Sequence, residues 1–115
     1  MHYTRIYTDP SGESRFETVE VPLGEKGPIG SLSEAFPVSS LEFRENGPDY
    51  DYDFHNAPAR QFVIMLDGEI EITSSLGETR RFTAGDVLLV EDTEGKGHKS
   101  RNTAWQARKS IFIRL

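Results

Sequence analysis

Cysteine is absent from the 115 residues. Disulfides, thiolate metal ligands, iron–sulfur clusters and cysteine nucleophiles are therefore all excluded. Long apolar runs are missing too. Nothing in the chain approaches the roughly 18–20 apolar residues of a membrane-spanning helix, and Met1-His2-Tyr3-Thr4-Arg5 holds no apolar signal core. Positive charge is in deficit: 13 Lys+Arg stand against 19 Asp+Glu, for a formal net charge of −6 and an isoelectric point near 5.0. That balance argues against a surface built to neutralise nucleic-acid phosphates. Membrane and nucleic acid drop out as partners, and a cytoplasmic location is expected. Proline is lacking from the second half, since all six (Pro10, Pro22, Pro28, Pro37, Pro48 and Pro58) precede Gln61. Short strands joined by stiff turns are expected first, and longer ladders after.

What is present is alternation. Tyr3 to Thr8 reads as a strand closed by the turn Asp9-Pro10-Ser11-Gly12, and Ser14 to Val21 as a second, stopped at Pro22. Leu23 to Pro37 reads as a loop in which Ser31-Leu32-Ser33-Glu34 offers a cap for one helical turn. Val38 to Arg44 is a strand. Tyr50 to His55 alternates strictly, with aromatics on one face and Asp51, Asp53 and His55 on the other. Gln61 to Leu66 runs into Asp67-Gly68, the strongest hairpin signal in the chain, and Glu69 to Thr73 continues from it. Thr79 to Phe82, Val87 to Val90, His98 to Asn102 and Gln106 to Leu115 complete the set; Asn102 to Lys109 is the one stretch that also suits the start of a helix. Nine or ten short strands at regular turn spacing predict an all-β sandwich or barrel in a single domain.

The motifs sit in the second half. His55 is followed by Gln61, Gln61 lies seven residues before Gly68, and sixteen residues separate Gly68 from Gly85. Gly85-Asp86 opens a second segment that ends in His98 and, four residues on, Asn102. This ordered set, spanning Pro48 to Asn102, resembles the two motifs of the cupin family. The resemblance implies a cupin-type jelly-roll barrel (a double-stranded β-helix) over residues 1–115. Residues 38–115 would be the barrel core, and residues 1–22 N-terminal strands able to act as a dimer arm. It also implies a site built from His55, Gln61 and His98. The departures are specific: Ala57 stands where the family's second histidine would be, Gln61 where its glutamate would be, and the loop to His98 is two residues longer. An even insertion preserves strand parity, so His98 is expected to face inward.

Two chemistries are open to these residues. His55 and His98, with Gln61 as a neutral third donor, offer a weak site for a divalent metal such as zinc, iron, nickel or manganese. Without metal, Asp53 two residues from His55 would share its face and tune it as a general base, His98 serving as the second imidazole. For Asp51 and Asp53 the favoured reading is a solvated edge that discourages aggregation. The function expected is binding of a small polar molecule in the barrel and action on it through one of these chemistries. The alternative is a non-catalytic module that binds a sugar or other small molecule.

Other segments point elsewhere. Gly95-Lys96-Gly97 lacks the spacing of a phosphate loop and reads as a flexible rim with Lys96 and Lys99 in solvent. Alternation puts Arg60 opposite Gln61, on a surface or interface salt bridge. Trp105, the only tryptophan, reads as core or dimer interface. Gln61, Val63 and Met65 should point into the barrel, with Phe62, Ile64 and Leu66 outside. Small cupins resemble one another in forming homodimers, so sedimentation at micromolar concentration should give twice the 13.0 kDa chain mass. A single-chain mass would count against that pairing.

Overall fold

In the computed structural model, which describes Met1–Leu115, the alternating segments form two facing sheets. The strands are β1 (His2–Thr8), β2 (Ser14–Glu20), β3 (Gly24–Glu25), β4 (Ser31–Leu32), β5 (Ser40–Asn46) and β6 (Asp51–His55). They continue with β7 (Gln61–Met65), β8 (Glu69–Ser74), β9 (Thr79–Thr83), β10 (Val87–Val90), β11 (His98–Asn102) and β12 (Arg108–Arg114). One sheet has the order β2-β1-β10-β7-β12-β5 and the other β6-β11-β8-β9. β3 and β4 form a separate two-strand hairpin around a 3-10 turn at Gly27–Ile29, so Ser31 and Leu32 are extended and do not cap a helix. The stretch after Asn102 is a loop. Ala104 and Trp105 there have φ of +54° and +50°, which no continuing right-handed helix allows.

The core lies between the sheets, and strand parity decides who enters it. In β7 the inward set Gln61, Val63 and Met65 is buried, Phe62 and Ile64 are half-buried, and Leu66 beyond the strand is exposed. Phe62 packs outside the barrel with Tyr3 and Phe36 edge-on, each with ring centres 5.4 Å away. From the facing sheet Ile70, Ile72 and Phe82 complete the apolar filling. Trp105 takes no part in it and stays 75% exposed, because the left-handed turn at Ala104-Trp105 carries it outward.

The N-terminal strands β1 and β2 join the chain's own larger sheet, with β2 at its edge. β1 runs parallel to β10, with Ile6 opposite Val90, so it extends the chain's own sheet and β2 covers its far edge. Ile6 is fully buried in the core cluster.

The hardest local constraint is at Gly97, just before β11. Its φ is +72°, and a Cβ there would lie 2.1 Å from the carbonyl oxygen of His55. Only glycine lets the loop pass the end of β6 so closely. Gly97→Ala should lower stability on the order of 3 kcal/mol or more, from a left-handed non-glycine backbone plus a backbone clash. Urea unfolding of the two proteins checks this, and equal midpoints would show that the approach is not needed.

Candidate functional site

The site begins with an irregularity in pairing. His98 faces His55 across β11 and β6, but Ser100 faces Tyr52, so three steps on β6 match two on β11. Asp53 and Phe54 form a β-bulge opposite Lys99. One extra residue reverses parity, and His55 therefore joins Tyr50 and Tyr52 on the cavity side. Strict alternation had put it with Asp51 and Asp53. Asp53 is exposed, and its carboxylate accepts the Phe54 N–H at 2.8 Å. Only its backbone carbonyl reaches His55, accepting from Nδ1 at 2.8 Å. The expected Asp53–His55 side-chain pairing is thereby corrected, and Asp51 and Asp53 are the acidic face of an edge strand.

The carboxylate that does serve an imidazole is Asp92, from the loop between β10 and β11. It is fully buried, and its Oδ2 accepts from Nδ1 of His98 at 2.5 Å. Its other oxygen, Oδ1, is a buried side-chain polar atom without a partner. Carbonyl and carboxylate oxygens only accept, so both histidines carry a proton on Nδ1, and in the neutral rings Nε2 keeps a free lone pair. The two rings lie 4.6 Å apart, as the motif spacing implied. Burial pushes the His55 pKa below its ordinary 6.5, and the nearby His98 adds to this against the opposing bond to the Asp53 carbonyl.

Both histidines line a cavity of about 430 Å³ between the sheets, together with Gln61, Tyr50, Ser100 and Arg108. That volume suits a small organic molecule. Ala57, where the family resemblance has its second histidine, is buried in the same wall. Arg108 was not anticipated. It is 2% exposed, donating from Nε to Asn102 Oδ1 and from an Nη to Asn46 Oδ1, both at 2.9 Å. The sequence clue was parity: Arg108 shares the inward face of β12 with buried Ser110. An arginine on an inward position contradicts the ordinary rule for cores, and that conflict is itself a signal.

A metal fits these residues poorly. Two imidazoles and the Gln61 amide fall one good donor short of a usual catalytic set, and no group of three or more His, Asp or Glu comes together. Asp92 is committed to His98, and the Arg108 guanidinium in the same cavity disfavours a second cation.

The loop from Glu91 to Gly97, which includes the Gly95-Lys96-Gly97 segment expected as a flexible rim, is pinned to the N-terminal strands and their turn. Glu91 accepts from Arg5 and Arg60 at 2.6 Å each, which makes Arg60 the outward salt bridge expected of it. Burial alone would raise the Glu91 pKa, but those two hydrogen bonds carry it below the ordinary value. Thr8 and Ser14 donate to the carbonyls of Glu94 and Gly97, and Lys96 pairs with Glu13. The loop that holds Asp92 and leads into His98 is thus tied to β1, to Glu13 and to the first residue of β2. Lys99 does reach outward, over the Phe54 ring.

The lowered His55 pKa has a defined consequence. A depressed base binds its proton more readily when unfolded, so its contribution to stability is present above 6.5 and is lost as pH falls through the lower folded value. An NMR titration of the His55 ring should give a midpoint below 6.5. A midpoint at or above it would remove burial as the controlling influence.

No protein-family model matches the sequence, and comparison with curated proteins finds no relative. Solved structures do match. The cupin domain of Cnp3 from Schizosaccharomyces pombe superposes with a TM-score of 0.55 at 13% identity, covering 98% of this chain and 81% of that one. Protein NMB1881 from Neisseria meningitidis gives a TM-score of 0.52 at 12% identity, covering 84% of this chain and 82% of that one. At such identities the likeness is one of fold, and two facing sheets around a central cavity agree with it: the chain has the all-β jelly-roll fold of a small cupin domain.

Proposed function

We propose that the barrel binds a small polar molecule and moves a proton on it, with His98 as the base and Asp92 as its positioning residue. The observation that carries this reading is the buried His98–Asp92 pair beside His55 in the wall of the cavity. Asp92 fixes the tautomer that leaves Nε2 of His98 free, and its charge stabilises the imidazolium formed when Nε2 takes a proton. A carbon next to a carbonyl is the suitable donor: the C–H pair of electrons moves toward the carbonyl oxygen to form an enolate, and the proton returns from His98 to the same carbon as that pair moves back. His55 stays neutral near pH 7 because burial lowers its pKa, so its Nε2 accepts from a substrate hydroxyl and orients it. No step requires a metal, consistent with the donor set.

Deuterium uptake from heavy water tests the proposal. Dihydroxyacetone, glyceraldehyde and 4-oxopentanoate are incubated with the protein and followed by proton NMR. His98→Asn should slow uptake by roughly 10²–10⁴-fold. Asp92→Asn should also slow it, while the protein stays folded. Uptake by the wild type no faster than by His98→Asn, across all three compounds, would overturn the catalytic reading and favour a non-catalytic binding module.

A further inference from the structure

Resting on the cavity reading above but not on its proton chemistry, we propose that the ligand carries a carboxylate, received by Arg108 at the end of the cavity away from the histidines. Arg108 is a cation removed from water whose recorded partners are all neutral: Asn102, Asn46, Ser110 Oγ at 3.4 Å and the Met65 sulfur at 3.9 Å. Burial lowers its pKa, yet a guanidinium starts so high that it keeps its charge. Three of its N–H groups are directed at oxygen acceptors and a fourth only at the weakly accepting Met65 sulfur, which leaves one Nη2 N–H free and the sulfur-facing one easily exchanged for a carboxylate oxygen.

The wall around it supplies no negative charge. None of the 19 residues lining the cavity is an aspartate or glutamate, although the whole chain has a net charge of −6. The carboxylate whose charge acts on Arg108 is Asp67, and it makes no hydrogen bond to the guanidinium but accepts the Lys109 N–H. Arg44, also in the wall, stacks its guanidinium over Phe112 and pairs with Glu42. One buried, uncompensated positive charge in a largely apolar cavity is matched by one negative charge, so a monoanionic carboxylate is favoured over a phosphate dianion.

The anchor also sets a length. Arg108 is held by Asn102, and Tyr50, whose ring lies 5.3 Å from its guanidinium carbon, is held by Ser100. Ser100 and Asn102 follow His98 by two and four residues on the same inward face. At about 3.3 Å per residue, the carboxylate seat is therefore about 7–13 Å from His98 along the strand. The carboxylate serves as a handle, and the part of the molecule nearest the imidazoles is a different one.

Isotope-labelled full-length protein provides the test. Acetate, 4-oxopentanoate and gluconate are titrated in, alongside the uncharged 4-oxopentanamide and glucose and inorganic phosphate, while the Arg108 Nε–H and both imidazole signals are followed. All three acids should shift the Arg108 signal, and only the two longer ones should also shift the imidazoles. Each longer acid should bind at least about tenfold more tightly than its uncharged counterpart. Arg108→Gln should abolish that preference, and Arg108→Lys, which keeps the charge if the glutamine variant does not fold, should retain part of it. Equal binding of acid and uncharged counterpart, or an Arg108 signal unmoved by any of the acids, would overturn the proposal; so would phosphate binding more tightly than both longer acids. Acid-selective binding without deuterium uptake would leave this inference standing and remove only the catalytic reading.

Discussion

The bulged pairing of β6 with β11 is the constraint on which the site depends. A regular ladder through Tyr52 would send His55 to the outer face with the aspartates, and the cavity would hold one imidazole. The extra residue at Asp53-Phe54 turns His55 inward at the cost of one disrupted stretch of an edge strand. Gly97 then fixes the height of the pair, because its backbone passes against the His55 carbonyl where no side chain fits. The position of the imidazoles thus follows from backbone geometry in two short segments. Ala57 N–H donating to the Asp92 carbonyl adds the third tie, joining the end of β6 to the loop that carries the carboxylate.

A buried aspartate and a buried arginine make the interior unlike an ordinary core. Asp92 brings a carboxylate with one unpaired oxygen, and Arg108 brings a cation with neutral partners. Each alone costs several kcal/mol of desolvation against its bonds. They lie on different strands and hold different things, Asp92 the tautomer of His98 and Arg108 the far wall. A fold selected for stability alone would gain by replacing Arg108 with an apolar residue of similar volume. Its retention inside a cavity points to a ligand that supplies the missing charge when bound.

The fold was legible in the sequence because β-structure encodes itself locally. The alternation in Gln61 to Met65 and the Asp67-Gly68 turn define both the strand and its inward face. The two-residue difference in the loop before His98 preserved parity, and the histidine is indeed inward. The first strand was readable as a strand but not as a neighbour of β10, since parallel pairing between distant segments leaves no local signature. The bulge was hidden for a related reason. Tyr50 to His55 alternates perfectly in sequence, and only the partner strand reveals that one residue is extra.

The same logic explains why the two missed residues were missed. A charge in a loop, such as Asp92 beside Glu91, is solvated by default, and burial is decided by what packs over it. Here Arg5 and Arg60 hold Glu91 at the surface and let the next residue turn in. Arg108 lay at the start of a strand where a charged residue ordinarily marks the edge of the core. Its inward position follows from the register of β12 on β7, with Ser110 opposite Met65. Long-range register, not residue type, therefore converts two ordinary surface residues into the polar ends of the cavity. Residues that conflict with their buried setting in this way are where chemistry is best sought in a chain that has alanine at 57 and glutamine at 61 in place of the resembled motif's histidine and glutamate.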